Sequence, residues 1–160
     1  MGLGLLAGGA IAQEPSAEDS VAPAAETPAG IAQNEAERMM READRALDAR
    51  NYDLAIELLT DAFNAFNTRS NYYQQLSGVF AGVDNAIADE HRVAARDAAE
   101  ERDRASYDLA IVYRAADRPE EAIAPLVQVI ASQGPTRDLG QRAYQQLKEI
   151  GFVTTAYPRQ

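Results

Sequence analysis

"YDLAIVYRAADRPEEAIAPL", residues Tyr107 to Leu126, carries the densest pattern in the chain and decides how the rest is read. Leu109, Ala110 and Tyr113 fall on one helical face, Asp117-Arg118-Pro119 interrupts, and Ala122, Leu126 and Val129 resume the period. Apolar residues at this spacing form one stripe of a helix, and a proline early in the second run opens a new helix rather than extending the first. The stretch reads as a helical hairpin. Ala110 and Ala122 let the two backbones approach closely, while Tyr113 and Leu126 fill the remaining gap.

The small residue recurs along the chain. Ala43, Ser77 and Ala110 lie 34 and then 33 positions apart, and Ala143 follows after another 33. A period in this range marks stacked helical hairpins, because one hairpin alone cannot bury its apolar face. The first hairpin begins at Asn34, with Glu37 three positions on in a capping arrangement. Met39, Ala43, Ala46 and Leu47 share a face, "ARNY" interrupts near Asn51, and a second helix carries Leu54, Ile56, Leu58, Leu59, Ala62, Phe63 and Phe66 before ending in "NTRSN". The middle unit opens with Tyr73, Leu76, Ser77 and Phe80 at i, i+3, i+4 and i+7. Its second helix is alanine-rich, with a shallow face at Ile87, Ala94 and Ala98. Residues 85–116 fit either two helices or one long rod. Pro125 is expected to kink its helix by removing a hydrogen bond, and Gly134-Pro135 to end it. In the closing helix Leu139, Ala143, Leu147 and Ile150 face inward and Arg137, Arg142, Lys148 and Glu149 outward, the pattern of a polar cap.

These positions resemble the tetratricopeptide repeat family over roughly residues 35–150. Tyr73, Leu76, Ser77 and Phe80 match the first half of its motif. Leu109, Ala110, Tyr113, Ala122 and Leu126 match both halves, and Ala43, Tyr52, Ala55, Leu59 and Ala62 supply the first unit. Met39 replaces the usual aromatic, and Arg50 and Asp117 stand where the turn glycine is usual. The resemblance implies an all-α fold, a right-handed superhelix of about three antiparallel helix pairs with a C-terminal capping helix. It also implies a concave groove lined by the first helix of each pair. Carried over position by position, the groove residues are Met40, Asp44 and Leu47, then Asn71, Gln74 and Gly78, then Arg104, Tyr107, Ile111 and Arg114, and in the cap Arg137, Tyr144 and Lys148. The acid of this series, Asp44, lies towards one end and the bases towards the other, which would orient an extended peptide. The family's carboxylate clamp is not matched, since Met40 and Asp44 occupy its Lys and Asn places and only Arg104 suits it.

Composition narrows the function classes. The chain of 160 residues has 25 acids, 15 bases and a net charge of −10. An acidic chain without basic blocks is a poor fit to a phosphate backbone, so nucleic acid is not an expected partner. There is no cysteine, which removes disulfides, thiolate metal sites and cysteine nucleophiles. His91 is the single histidine, its neighbouring carboxylates follow a polar helix face, and no Glu-x-x-His pair exists. Neither a phosphate-binding loop nor a nucleophile elbow occurs. The sequence gives no reason to expect an enzyme, a cofactor or a metal.

Residues 1–12, "MGLGLLAGGAIA", combine an apolar run with an A-x-A end at Ala10-Ile11-Ala12, the pattern of a secretory signal lacking its basic n-region. The run is too short to span a bilayer. Residues 13–34 hold three prolines and mostly small or acidic residues, the composition of a flexible spacer. The expected organisation is a signal-like segment at 1–12, a spacer at 13–34, a helical repeat domain at 35–151 and a tail at 152–160. The expected function is a non-catalytic, exported (periplasmic or otherwise extracytoplasmic) scaffold that binds a protein or peptide segment in its groove. Two other classes fit less well: a structural subunit that self-associates, and a helical metal protein centred on His91.

Overall fold

The computed structural model describes the backbone from residue 28 to 157. The signal-like run and the spacer up to residue 27 lie outside the described residues. Five helices, and no strand, occur among the described residues: α1 (Pro28–Asp48), α2 (Tyr52–Phe80), α3 (Asn85–Ala115), α4 (Pro119–Gln133) and α5 (Asp138–Ile150). None of them is long and apolar enough to cross a membrane.

Two helix–turn–helix units, α1 with the start of α2 and the end of α3 with α4, repeat each other 67 positions apart. Ala43, Ala55 and Leu59 are buried in the first; Ala110, Ala122 and Leu126 are buried at the matching places in the second. Their turns also match. Arg50 and Asp117 both adopt left-handed backbone, with φ of 58° and 59°. In the first turn Arg50 N–H donates to the Leu47 carbonyl and Asn51 N–H to that of Ala46; in the second, Asp117 donates to Arg114 and Arg118 to Tyr113. This is the double closure that usually employs glycine at the left-handed position, and α5 ends the same way with Gly151 at φ 86°. The substitution of Arg and Asp for the expected glycine thus leaves the turn geometry unchanged and stores strain in it. Arg50→Gly is therefore expected to raise the unfolding free energy by roughly 0.5–1 kcal/mol, measurable as a higher urea midpoint with unchanged slope.

The core runs through these units as three clusters. Ala36, Ala62, Phe66 and Ala105 join α1, α2 and α3. Ala43, Ala46, Ala55, Leu59 and Val112 continue along the same three helices. Ala110, Ala122, Leu126, Val129, Ala143 and Leu147 join α3, α4 and α5. Each large side chain fully withdrawn from water contributes about 1.5–3 kcal/mol, so Phe66, Leu59 and Leu126 are the main anchors. Val153 packs against the last cluster, which ties part of the tail to α5. Ser106 donates its hydroxyl to the carbonyl of Pro125, inside α4.

The middle of the chain departs from the sequence reading. The "NTRSN" segment does not end a helix: α2 runs unbroken from Tyr52 to Phe80. Of the two forms open for residues 85–116, the structure takes the single rod, α3 from Asn85 to Ala115. Asn, Thr and Ser are weak helix formers but lack the backbone veto of Gly or Pro, and tertiary bonds favour them here. Ser70 Oγ donates to the Ala95 carbonyl and Ser77 Oγ to that of Ala88, each at 2.9 Å. Ala88, Ala95 and Ala98 are the buried residues opposite, flanked by Ile87 and Ala94. The middle helix pair exists, but its two helices continue their neighbours' axes. It forms an antiparallel arm that ends in the turn at residues 81–84. At the N-terminus, α1 begins at Pro28, so Asn34, the expected cap, lies inside it.

Where the arm leaves the body, a buried carboxylate collects four donors. Asp103 is fully buried. Its Oδ1 accepts from Nε and Nη2 of Arg102 at 2.9 and 2.7 Å, and its Oδ2 from Ser132 Oγ at 2.5 Å and Gln133 Nε2 at 2.7 Å. Arg102 also reaches Ser132 in α4 and Asn67 in α2. Three helices are pinned at one point.

Candidate functional site

Two adjoining recesses form a trough across the faces of α1, α3 and α5. The larger, about 600 Å³, is lined by Glu100, Glu101, Arg104, Tyr107, Asp108, Gln133, Arg137, Asp138, Leu139 and Arg142. The smaller, about 320 Å³, is lined by Glu37, Met40, Arg41, Asp44, Glu101, Arg104 and Asp108. Glu101, Arg104 and Asp108 belong to both, so the recesses meet on α3. Helical spacing explains the meeting: Glu101, Arg104 and Asp108 lie at i, i+3 and i+7.

The walls are polar and of mixed charge. Arg142 lies over the Tyr107 ring, 5.0 Å from its centroid, and pairs with Asp138 at 3.4 Å. Arg137 reaches Glu100 at 3.5 Å. Arg104 is exposed at the junction and forms no hydrogen bond or ion pair with the described residues. It faces Asp108, whose charge it favours electrostatically. Burial nevertheless pushes the Asp108 carboxyl up to about 6, opposed by Arg104 and assisted by the nearby negative charge of Asp44. Burial also raises the Tyr107 hydroxyl, with Arg142 opposing it.

The sign for stability follows. A carboxylate whose folded pKa lies above its unfolded value binds more protons in the native state, so its stabilisation is present at low pH and is lost as pH rises through about 6. Asp108→Asn removes that loss. The variant is expected to match the parent at pH 4 and to exceed it by about 1–2 kcal/mol at pH 8, after allowance for solvent screening. Thermal unfolding followed across that pH range would show the gap opening above about pH 4 and levelling off near pH 6.

The structure gathers Met40, Asp44, Arg104, Tyr107 and Arg137 in this trough. Other expected groove residues sit elsewhere. Leu47 is half-buried and packed against the α1–α2 cluster. Arg114 is committed to α5, bonded to Gln146 and, at 2.9 Å, to Glu149. Ile111 is half-buried on α3, Tyr144 packs edge-on against Tyr157 at 6.0 Å, and Lys148 is exposed in the last turn of α5. Asn71, Gln74 and Gly78 are exposed on the arm. Gln74 donates to Ser70 Oγ and lines a recess of about 360 Å³ with Ser77, Arg92 and Arg96. Sequence reasoning missed Asp108 and did not place Leu139 and Arg142, assigned to the inward and outward faces of the cap, in the trough. Asp108 stands four positions after Arg104 and Leu139 two after Arg137, so the helical period held the signal for the first and the turn before α5 obscured the second.

His91 lies in the arm, its ring 5.9 Å from that of Tyr73 and 6.0 Å from that of Phe80. No group of three or more potential metal ligands occurs among the described residues. No family model matches the chain, and a search of curated proteins finds no match.

Proposed function

We propose that the chain is a non-catalytic binding scaffold that holds an extended segment of another protein in the trough across α1, α3 and α5. The observation that carries this reading is the joining of two recesses at Glu101, Arg104 and Asp108, with the exposed Arg104 guanidinium at the junction. A trough crossed by three alternate helices suits a chain laid across them, with Tyr107 and Leu139 offering apolar contact and Arg104 orientation. We read the array as tetratricopeptide-like, with two stacked pairs and a capping helix in a right-handed superhelix. The 67-residue recurrence of small residues and turns supports this reading. The signal-like run at residues 1–12 supports export.

The test is site-specific photocrosslinking in the native cell, with the crosslinker at Glu101, which lines both recesses, followed by mass spectrometry. The expected result is one dominant adduct that disappears with charge reversal at Arg104 or Arg137, both exposed, while helicity and melting stay unchanged. Adducts that are diffuse, or indifferent to those changes, would refute the trough as the site. The same experiment reads the mature N-terminus, where an intact Met1 would refute cleavage of the signal-like run.

A further inference from the structure

From Ser70 to Val83 the arm contains no charged residue, although a quarter of the whole chain is charged. Within this stretch Tyr72, Leu76, Val79 and Val83 are 63%, 40%, 70% and 81% exposed. Tyr72, Leu76 and Val79 lie at i, i+4 and i+7 and form one seam along α2, which ends at Phe80; Val83 stands exposed in the turn beyond it. Depletion of charge around exposed aromatic and aliphatic side chains marks the centre of an interface. The seam has no partner within the chain among the described residues.

The pattern is self-complementary. In an antiparallel pairing of two such helices, alternate seam positions face each other. With a twofold axis between Leu76 and Val79, Leu76 of one copy meets Val79 of the other, and Tyr72 meets the turn that carries Val83. The surface supplies a matching relief. At the arm's base an apolar recess of about 480 Å³ is lined by Ala36, Ala65, Tyr72, Tyr73 and Leu76 among others. The same twofold axis brings Val83, at the tip of one arm, to the recess at the base of the other. A surface in which knob and socket belong to the same patch is what an isologous dimer requires. Charge is also compatible: the Arg69 end of one arm faces the Asp84 end of its mate. From residue 69 to 98 the arm carries Arg69, Arg92 and Arg96 against Asp84, Asp89, Glu90 and Asp97, so its repulsion is far weaker than the whole chain's −10 implies. The three seam residues and Val83 expose on the order of 500 Å² per copy, and their mutual burial reaches about 1,000 Å², the lower bound for a specific interface.

We propose that two copies of this chain associate through their arms, antiparallel about the Leu76–Val79 seam. An interface at this lower bound suits a weak, reversible association, and the expected dissociation constant is roughly 1–100 µM. Sedimentation velocity of the full chain from about 1 µM to 1 mM tests it, with helicity measured on every variant. The parent is expected to shift from monomer to dimer. Leu76→Lys and Val79→Glu, both at exposed positions, are each expected to weaken association at least about 30-fold and stay monomeric. Mixing the two variants is expected to restore a dimer, because each Lys then faces a Glu across the axis while Leu76 still meets Val79 on the other side. A parent monomeric at 1 mM would overturn the proposal, and so would a dimer that survives both substitutions. Monomeric variants that fail to pair on mixing would overturn the antiparallel register. A parent that stays monomeric and floats with vesicles of phosphatidylethanolamine and phosphatidylglycerol would assign the seam to a membrane instead.

Discussion

Asp103→Ala is expected to lower the unfolding free energy by about 3–5 kcal/mol, the largest effect of any polar substitution in the chain. The reason is the state of what remains. Asp103 is fully buried, and removing it leaves the Arg102 guanidinium, only 15% exposed, without its carboxylate, and the Ser132 hydroxyl and Gln133 amide without the oxygen they share. A buried donor without a partner costs more than the bond itself contributed. The cost falls at one place, where Arg102 also reaches Asn67, so α2, α3 and α4 loosen together. Equilibrium urea unfolding of the single variants and of Arg102→Met/Asp103→Leu measures the effect. The double variant is expected to recover more than half of the loss, because it removes charge and counter-charge together and fills the space with apolar atoms. A double variant as unstable as Asp103→Ala would show that the four hydrogen bonds, not the uncompensated charge, dominate.

Gly140→Ala is expected to destabilise by about 2–3 kcal/mol, opposite in sign to the usual effect of this change inside a helix, where alanine gains up to about 1 kcal/mol. Gly140 is buried in the first turn of α5 against the loop that precedes it. A Cβ there would collide with the Gly134 carbonyl oxygen and lie 3.0 Å from its carbon, and both are backbone atoms that cannot rotate aside. Gly134 itself has φ 81° and ψ 151°, a region only glycine occupies comfortably, so the loop has no easy way to yield. The helix must move. Because α5 carries Leu139 and Arg142, the expected readout is a lower melting temperature together with loss of the crosslinked adduct at Glu101. Gly78→Ala is the control, since a Cβ at Gly78 meets nothing within 4 Å. It is expected to stabilise slightly.

The helical class and the two matching hairpins were legible because their determinants are local. Ala43 and Ala110, Ala55 and Ala122, and Leu59 and Leu126 carry the close approach in their side-chain size, and all six are buried. The turns were legible in position but not in residue type, since Arg50 and Asp117 take left-handed backbone without the glycine that normally announces it. The α3 side of the arm was legible only as one of two forms, a single rod or two helices, and its α2 side was not legible. Asn67 to Asn71 reads as a break until Ser70 finds the Ala95 carbonyl, 25 positions away, and no local rule contains that bond. The trough was half legible. Arg104 and Tyr107 follow from register, but the withdrawal of Asp108 from water depends on α1 and α5 closing over it, and Arg114 is spent on Glu149.

The continuity of α3 has a metric consequence. One uninterrupted helix links the turn at the arm's tip to Arg104 in the trough, and at about 1.5 Å of rise per residue the two stand about 30 Å apart along its axis. A jointed connection would let that spacing drift; a single rod makes it a ruler. Two chains clasped arm to arm would then present their troughs at one set span. A partner bearing two copies of the recognised segment at that span would be held with an avidity neither trough has alone, while one with a different spacing would engage a single trough at a time.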